Sequence, residues 1–312
     1  MKILKIWLYF PISIVLLGNT VACGKAAPTP TATPVATPTV TVAAATLQPG
    51  DSERTLTVNS LERTYFLHIP PDLTADQPVP LVFVFHGLGE NGAFISQTSG
   101  FNEIADANGF IVVYPNGSGP SSALSWNAGG CCGYAGQNKI DEVALVRQVI
   151  SDTETLVKID PKRVYAAGFS NGALLSYYLA CEMSDTFAAI APVAGVLQYD
   201  SCQPQQSVSV IHFHGLSDTA VPYAGGGTIP GTNQAFPPVE QSIATWVGLD
   251  ACAESPQVEQ SGILTHTSYA SCQNGTAVEL YTIQGIGHSW PSQYVVPVTQ
   301  IIWDFFKAHP KP

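Results

Sequence analysis

Four short stretches of this 312-residue chain carry side chains suited to acyl transfer. In YAAGFSNGALLS (165–176), Ser170 stands between Gly168 and Gly172. HFHGLSDTAVPY (212–223) supplies Asp218, LYTIQGIGHSWP (280–291) supplies His288, and FVFHGLGENG (83–92) is a glycine-rich turn. A serine hydroxyl becomes a useful nucleophile only when a base takes its proton, and a histidine base needs an anion to fix its tautomer. Ser170, Asp218 and His288 offer nucleophile, acid and base in that chain order. G-x-S-x-G alone is a weak signal; the weight comes from four loops, each following an expected strand.

The elements around these residues must place them. Residues 164–168 read as a buried strand, and Asn171 opens a helical run to Glu182. A serine at such a strand-to-helix turn takes a strained backbone and needs small neighbours, which is the nucleophile elbow of α/β hydrolases. The helix start presents backbone N–H groups, and that of Asn171 is one expected oxyanion donor. The N–H of Leu88, in the turn after the apolar run 80–87, is the other. Asp200 and Asp250 are fallbacks for Asp218, less clearly placed at strand ends. Asp141 and Glu142 read as helix-start residues. Trp126, Tyr134, Tyr223 and Trp290 lie near the expected site in sequence and are candidates to bind substrate, with packing as the plain alternative for each. His86 reads as a brace for its loop, and His68, His266 and His309 as structural or peripheral. His212 and His214 share one strand face and have the types to ligate zinc, but no convincing third ligand follows, so no metal site is expected.

Apolar or β-rich runs at 63–69, 80–87, 110–115, 163–170, 187–195 and 208–215 precede or alternate with helical candidates at 141–156, 171–182, 239–249 and 298–309. Continuous apolar runs of this length are typical of parallel strands buried on both faces. They predict one α/β domain over 51–312, with a mainly parallel central sheet and helices on both faces. Within 141–156, Val143, Val146, Val149 and Ile150 are expected on the buried face. Two glycine-rich loops, 116–139 and 221–238, follow strand ends on the side where open α/β sheets bind ligands.

Charged residues make up 11% of the chain, the net charge is −11, and no basic run occurs, which argues against nucleic-acid binding. Lys2 and Lys5 precede an apolar stretch of signal-peptide length, so 1–22 reads as a signal peptide and the product as extracellular or on the cell surface. NTVACGK makes Cys23 a candidate lipidated residue, although Thr20 stands where the lipoprotein motif usually has Leu; ordinary cleavage near Ala22 is the alternative. A lipid there is the one membrane contact expected. Residues 23–50, rich in Pro and Thr, form an extended linker outside the fold. The remaining cysteines are even in number, as for disulfides in an exported chain. Proximity favours Cys181–Cys202 and Cys252–Cys272, which leaves Cys131 and Cys132 as a vicinal pair.

HGLGENG, YPNG, SWNAGGCCG, GFSNGA, HFHGLSDTAVPY and GHSWP together resemble the secreted polyhydroxybutyrate depolymerases and the feruloyl or acetylxylan esterases of carbohydrate esterase family one, over nearly all of 54–309. The resemblance implies an α/β-hydrolase fold, Ser170 as nucleophile, His288 as base, Asp218 as acid, and neither metal nor organic cofactor. It implies an ester substrate: a small ester or an ester-bearing plant polysaccharide, feruloyl before acetyl, with 3-hydroxyalkanoate oligomers or polymer as the alternative. A peptidase using the same triad, or a non-catalytic surface binding protein on the same scaffold, are readings of other classes, because fold does not guarantee activity. Binding-only relatives usually lack a triad residue, and none is missing here.

Overall fold

The computed structural model describes residues 47–74 and 77–312; the expected signal peptide, Cys23 and the linker up to residue 46 lie outside the described residues. Among the described residues the strands are β1 (Gly50–Val58), β2 (Leu61–Ile69), β3 (Val79–Phe85), β4 (Ile111–Pro115), β5 (Ile159–Phe169), β6 (Ala189–Val193), β7 (Ser209–Gly215), β8 (Gln257–Ser261), β9 (Leu264–Tyr269) and β10 (Val278–Ile283). They form one sheet in the order β1-β2-β4-β3-β5-β6-β7-β10-β9-β8. The six strands from β4 to β10 run parallel, and the outer strands on both sides pair antiparallel.

Every residue of β3, β4, β6 and β7 is buried, which is why the first three read as unbroken apolar runs and β7 as one broken only by Ser209, His212 and His214. Strand alternation turns Leu81, Phe83 and Phe85 to one core and Val82 and Val84 to the other. The helices are α1 (Gly92–Ser99), α2 (Phe101–Asn108), α3 (Gly133–Gln137), α4 (Glu142–Glu154), α5 (Asn171–Glu182), α6 (Val239–Leu249) and α7 (Val298–Ala308). α4, α5 and α6 pack on the Phe83 face, and α1, α2 and α7 on the other. In α4 the buried set is Glu142, Leu145, Val146, Val149 and Thr153, while Val143 and Ile150 are only half-buried. The seam is rotated from the expected one because Glu142 turns inward to meet Arg63.

The outer strands look different. β8 is exposed along its whole length, and β1 is exposed over Gly50–Glu53. The structure joins Cys181 to Cys202, Cys252 to Cys272, and Cys131 to its neighbour Cys132. The first pins the end of α5, and the second ties the turn after α6 to the turn after β9.

Asp250, just past α6, is wholly buried. Burial pushes its carboxyl up to about 7. The unfolded chain ionises this group near pH ~3.9, so between there and about 7 the folded state holds the extra proton. Stability from this group is present at low pH and falls as pH rises, by up to about 1.4 kcal/mol per pH unit. Asp250→Asn should therefore be more stable than wild type at pH 8, with the gap closing towards pH 5, as read by urea unfolding at both values.

Candidate active site

β5 ends at Phe169, and α5 begins at Asn171, so the chain must reverse at a single residue. Ser170 makes that turn with φ 54° and ψ −119°, a conformation that L-residues avoid. The two backbones nearly touch there. A Cβ on Gly168 would overlap the carbonyl of Gly172, and one on Gly172 would overlap the carbonyls of Phe85 and His86. Glycine at both positions is a steric requirement of the turn.

His288, between β10 and α7, lies with Nε2 2.8 Å from Ser170 Oγ and Nδ1 2.7 Å from Asp218 Oδ2. Asp218 follows β7, and its Oδ1 accepts the N–H groups of Ala220 (2.9 Å) and Val221 (2.8 Å). Burial works to raise this carboxyl; the hydrogen bonds from His288 and Val221 outweigh it and hold the group below its ordinary value. An ionised Asp218 accepts a hydrogen bond from the Nδ1–H of His288, which leaves Nε2 bare to accept one from the Ser170 hydroxyl.

The turn after β3 faces this line. The N–H of Gly87 donates to Glu90 Oε2, that of Gly89 to Leu124 O, and that of Glu90 to Gly87 O. The N–H of Leu88 has no such partner among the described residues. Leu88 and Asn171 border the same cavity of about 240 Å³ as Ser170 and His288. The structure thus brings together all five residues expected at the reacting centre. Asp200 lies exposed in a loop and Asp250 is sealed in the core, and neither bonds to His288.

Four aromatic candidates for substrate binding fall elsewhere. Trp126 is completely buried and its indole N–H donates to His86 O (2.9 Å), so it braces the site from behind and cannot meet substrate. Tyr134 borders a separate cavity of about 810 Å³. Trp290 packs edge-on to Phe101 and donates to Thr299 Oγ1. Tyr223 points its hydroxyl at Glu240. Apolar walls come instead from Leu174, Val221 and Phe236, with Cys132 and Pro230 at the side. Pro230 and Phe236 belong to the loop 221–238, whose composition marks it as a binding loop without marking which residue faces inward.

Other contacts were not visible in the sequence. The Asn171 side chain accepts from Trp126 N–H (2.8 Å) and donates to Trp126 O (3.2 Å), clamping the loop 116–139 to the elbow. Glu142 forms a buried ion pair with Arg63 (3.1 Å) and accepts from Asn127 N–H, while Arg63 also donates to Asn116 O. His86 donates from Nδ1 to Gly87 O and accepts Gly117 N–H at Nε2; burial lowers it to about 4, so it stays neutral. Both nitrogens of His212 and of His214 are engaged in hydrogen bonds within the protein.

The sheet, the elbow and the serine–histidine–aspartate line define an α/β-hydrolase-fold protein. The chain belongs to the family described as Esterase PHB depolymerase, which matches residues 63–223, a span that includes Ser170 and Asp218 and stops short of His288. It is 28% identical over 257 residues to feruloyl esterase B of Piromyces equi, covering 80% of this chain and 46% of that protein. It is also 28% identical over 250 residues to poly(3-hydroxyalkanoate) depolymerase C of Paucimonas lemoignei, covering 72% and 58% respectively. This chain therefore spans about half the length of these curated relatives. Acetyl xylan esterase from Aspergillus awamori shares the fold, with a TM-score of 0.59, 18% identity, and coverage of 82% of this chain and 99% of that one.

Gly172→Ala should push α5 off the end of β3 and cost about 1–3 kcal/mol. Gly248→Ala, in α6, where a Cβ meets nothing within 4 Å, should stabilise by about 0.5–1 kcal/mol. Opposite shifts in thermal midpoint of the two variants check the steric account of the elbow.

Proposed function

We propose that this protein is a serine esterase that hydrolyses carboxylic esters through an acyl-enzyme. The observation that carries the reading is the hydrogen-bonded line from Ser170 Oγ through His288 to Asp218 Oδ2, set in a small apolar cavity. Ser170 Oγ attacks the carbonyl carbon as His288 Nε2 takes its proton, and the N–H groups of Leu88 and Asn171 hold the oxyanion. His288 then passes the proton to the departing alkoxide. Water next gives a proton to His288 and attacks the acyl carbon, which releases the acid and restores Ser170. Asp218 stays ionised throughout and stabilises the transient imidazolium.

The cavity, at about 240 Å³, is smaller than the roughly 300–1,000 Å³ of drug-sized ligand sites. It takes one acyl group and leaves the alcohol outside. Walls of Leu174, Val221 and Phe236 suit an aromatic acyl group, so feruloyl esters of plant polysaccharide rank first and acetyl esters second. The relationship to a poly(3-hydroxyalkanoate) depolymerase supports hydroxyalkanoate esters as the second reading. Three disulfides support action outside the cytosol, where thiols stay oxidised. A binding-only role is disfavoured by an intact line of three reacting groups.

Initial rates on methyl ferulate, acetylated xylan and a soluble 3-hydroxybutyrate oligomer test this, with Ser170→Ala beside wild type. Methyl ferulate should be turned over, and Ser170→Ala should lose activity by about four orders of magnitude or more. Turnover of the oligomer alone would move the substrate to polyesters. A Ser170→Ala variant as fast as wild type, or folded wild type inert on all three, would reject the esterase reading.

A further inference from the structure

Two buried histidines of β7 take no part in the acyl-transfer steps. His212 and His214 project from one face of the strand, with ring centroids 5.4 Å apart and planes nearly parallel. The Tyr177 hydroxyl lies 2.9 Å from His212 Nδ1, His212 Nε2 lies 3.1 Å from His214 Nδ1, and His214 Nε2 lies 2.8 Å from Val221 O. The last acceptor sets the direction of the whole chain. A carbonyl oxygen only accepts, so His214 carries its proton on Nε2 and presents a bare Nδ1. His212 must then donate from Nε2, which leaves its Nδ1 to accept the Tyr177 hydroxyl proton. Burial lowers both imidazoles, and His288 opposes charge on His214 while Asp218 favours it, so both rings are neutral.

The two ends of this chain are what give it meaning. Tyr177 stands in α5, two turns along the helix that Ser170 opens. Val221, at the other end, accepts from His214 through its carbonyl and donates its own N–H to Asp218 Oδ1. His214 Nε2 also faces Asp218 Oδ2 at 3.5 Å, too far for a full hydrogen bond, so that oxygen stays available to His288 Nδ1 at 2.7 Å. Three buried polar side chains bring a desolvation cost that apolar residues of similar volume would avoid. Here each polar group is partnered, and the partners run in a single line from the nucleophile's helix to the acid's loop.

We propose that Tyr177, His212 and His214 form a positioning relay that locks the Asp218–Val221 turn to the helix carrying Ser170, and so keeps Asp218 aimed at His288. The proposal rests on the reading of Ser170, His288 and Asp218 as the reacting set. The relay transfers no proton to substrate. Its effect is to hold the acid still while the charge on His288 appears and disappears.

The test uses Tyr177→Phe, His214→Leu and His214→Gln. Each is assayed for kcat and KM on the ester the wild type hydrolyses, for the rate of Ser170 phosphonylation by diethyl p-nitrophenyl phosphate (read as p-nitrophenolate release), and for thermal midpoint. At temperatures well below unfolding, His214→Leu should lower both kcat and the phosphonylation rate about 100-fold with KM nearly unchanged. Tyr177→Phe, which removes one oxygen, should lower both about tenfold. His214→Gln, whose amide can reach Val221 O from the position of Nε2, should recover part of the loss. Variants that melt earlier yet keep wild-type kcat and phosphonylation rates would overturn the relay and reduce the chain to packing. If His214→Leu fails to fold, Tyr177→Phe decides by the same criteria. A folded wild type that releases no p-nitrophenolate would refute the nucleophile and the relay together, which separates that failure from a failure of the relay alone.

Discussion

The close contact between the start of α5 and the ends of β5 and β3 is the constraint from which the site follows. Gly168 and Gly172 let backbone meet backbone with nothing between, and Ser170 is held in a conformation it would not choose alone. Ser170 and the first residue of the helix, Asn171, consequently border the same cavity. The carbonyls of Phe85 and His86 form the other side of the contact, so the turn bearing Leu88 is located by the same touching surfaces. Ser170 and the proposed oxyanion donors Leu88 and Asn171 are in effect one backbone unit, which needs no side chain to aim it.

The flanking loop 116–139 is held differently. Apart from α3 it has little regular structure, and it is anchored at separate points by polar groups: His86 on Gly117, Arg63 on Asn116, Glu142 on Asn127 and Asn171 on Trp126. The Arg63–Glu142 pair is almost fully enclosed. Removing one member of such a pair strands the other, a loss of about 3–5 kcal/mol. The loop that brings Cys132 to the cavity is therefore tied down at its base by charges and amides as well as by the apolar packing of Trp126 on Phe85.

The parallel core was legible in the sequence because burial on both faces leaves a direct trace: β3, β4 and β6 are apolar at every step, and β7 is interrupted by polar side chains only at Ser209, His212 and His214. The bounds of α5 and α6 were equally plain. β1, β8 and β9 left no such trace, since GDSERTLTV, QVEQS and LTHTSY are mostly polar and, apart from Val58, exposed or half-exposed, and only pairing with a neighbour makes them strands. Ser170, Asp218 and His288 stood out because each follows a strand, and the sheet gathers strand ends on one rim. The aromatic candidates lie away from the Ser170 cavity for the converse reason. Nearness along the chain to a functional loop does not say which way a ring turns, and Trp126 turned inward because its N–H found the His86 carbonyl there. Leu174 and Phe236 were hidden in the same way, one inside a helix and one inside a loop.

The exposed outer strands have a consequence at a larger scale. An open sheet ends in unpaired amides and carbonyls, and each rim is a template on which a strand from another copy can add. Here one rim is β8, only five residues long with Glu259 at its centre, and the other begins with Asp51, Glu53 and Arg54. Two β8 rims paired antiparallel about their centres would set Glu259 against Glu259, a like-charge pair that opposes the new seam.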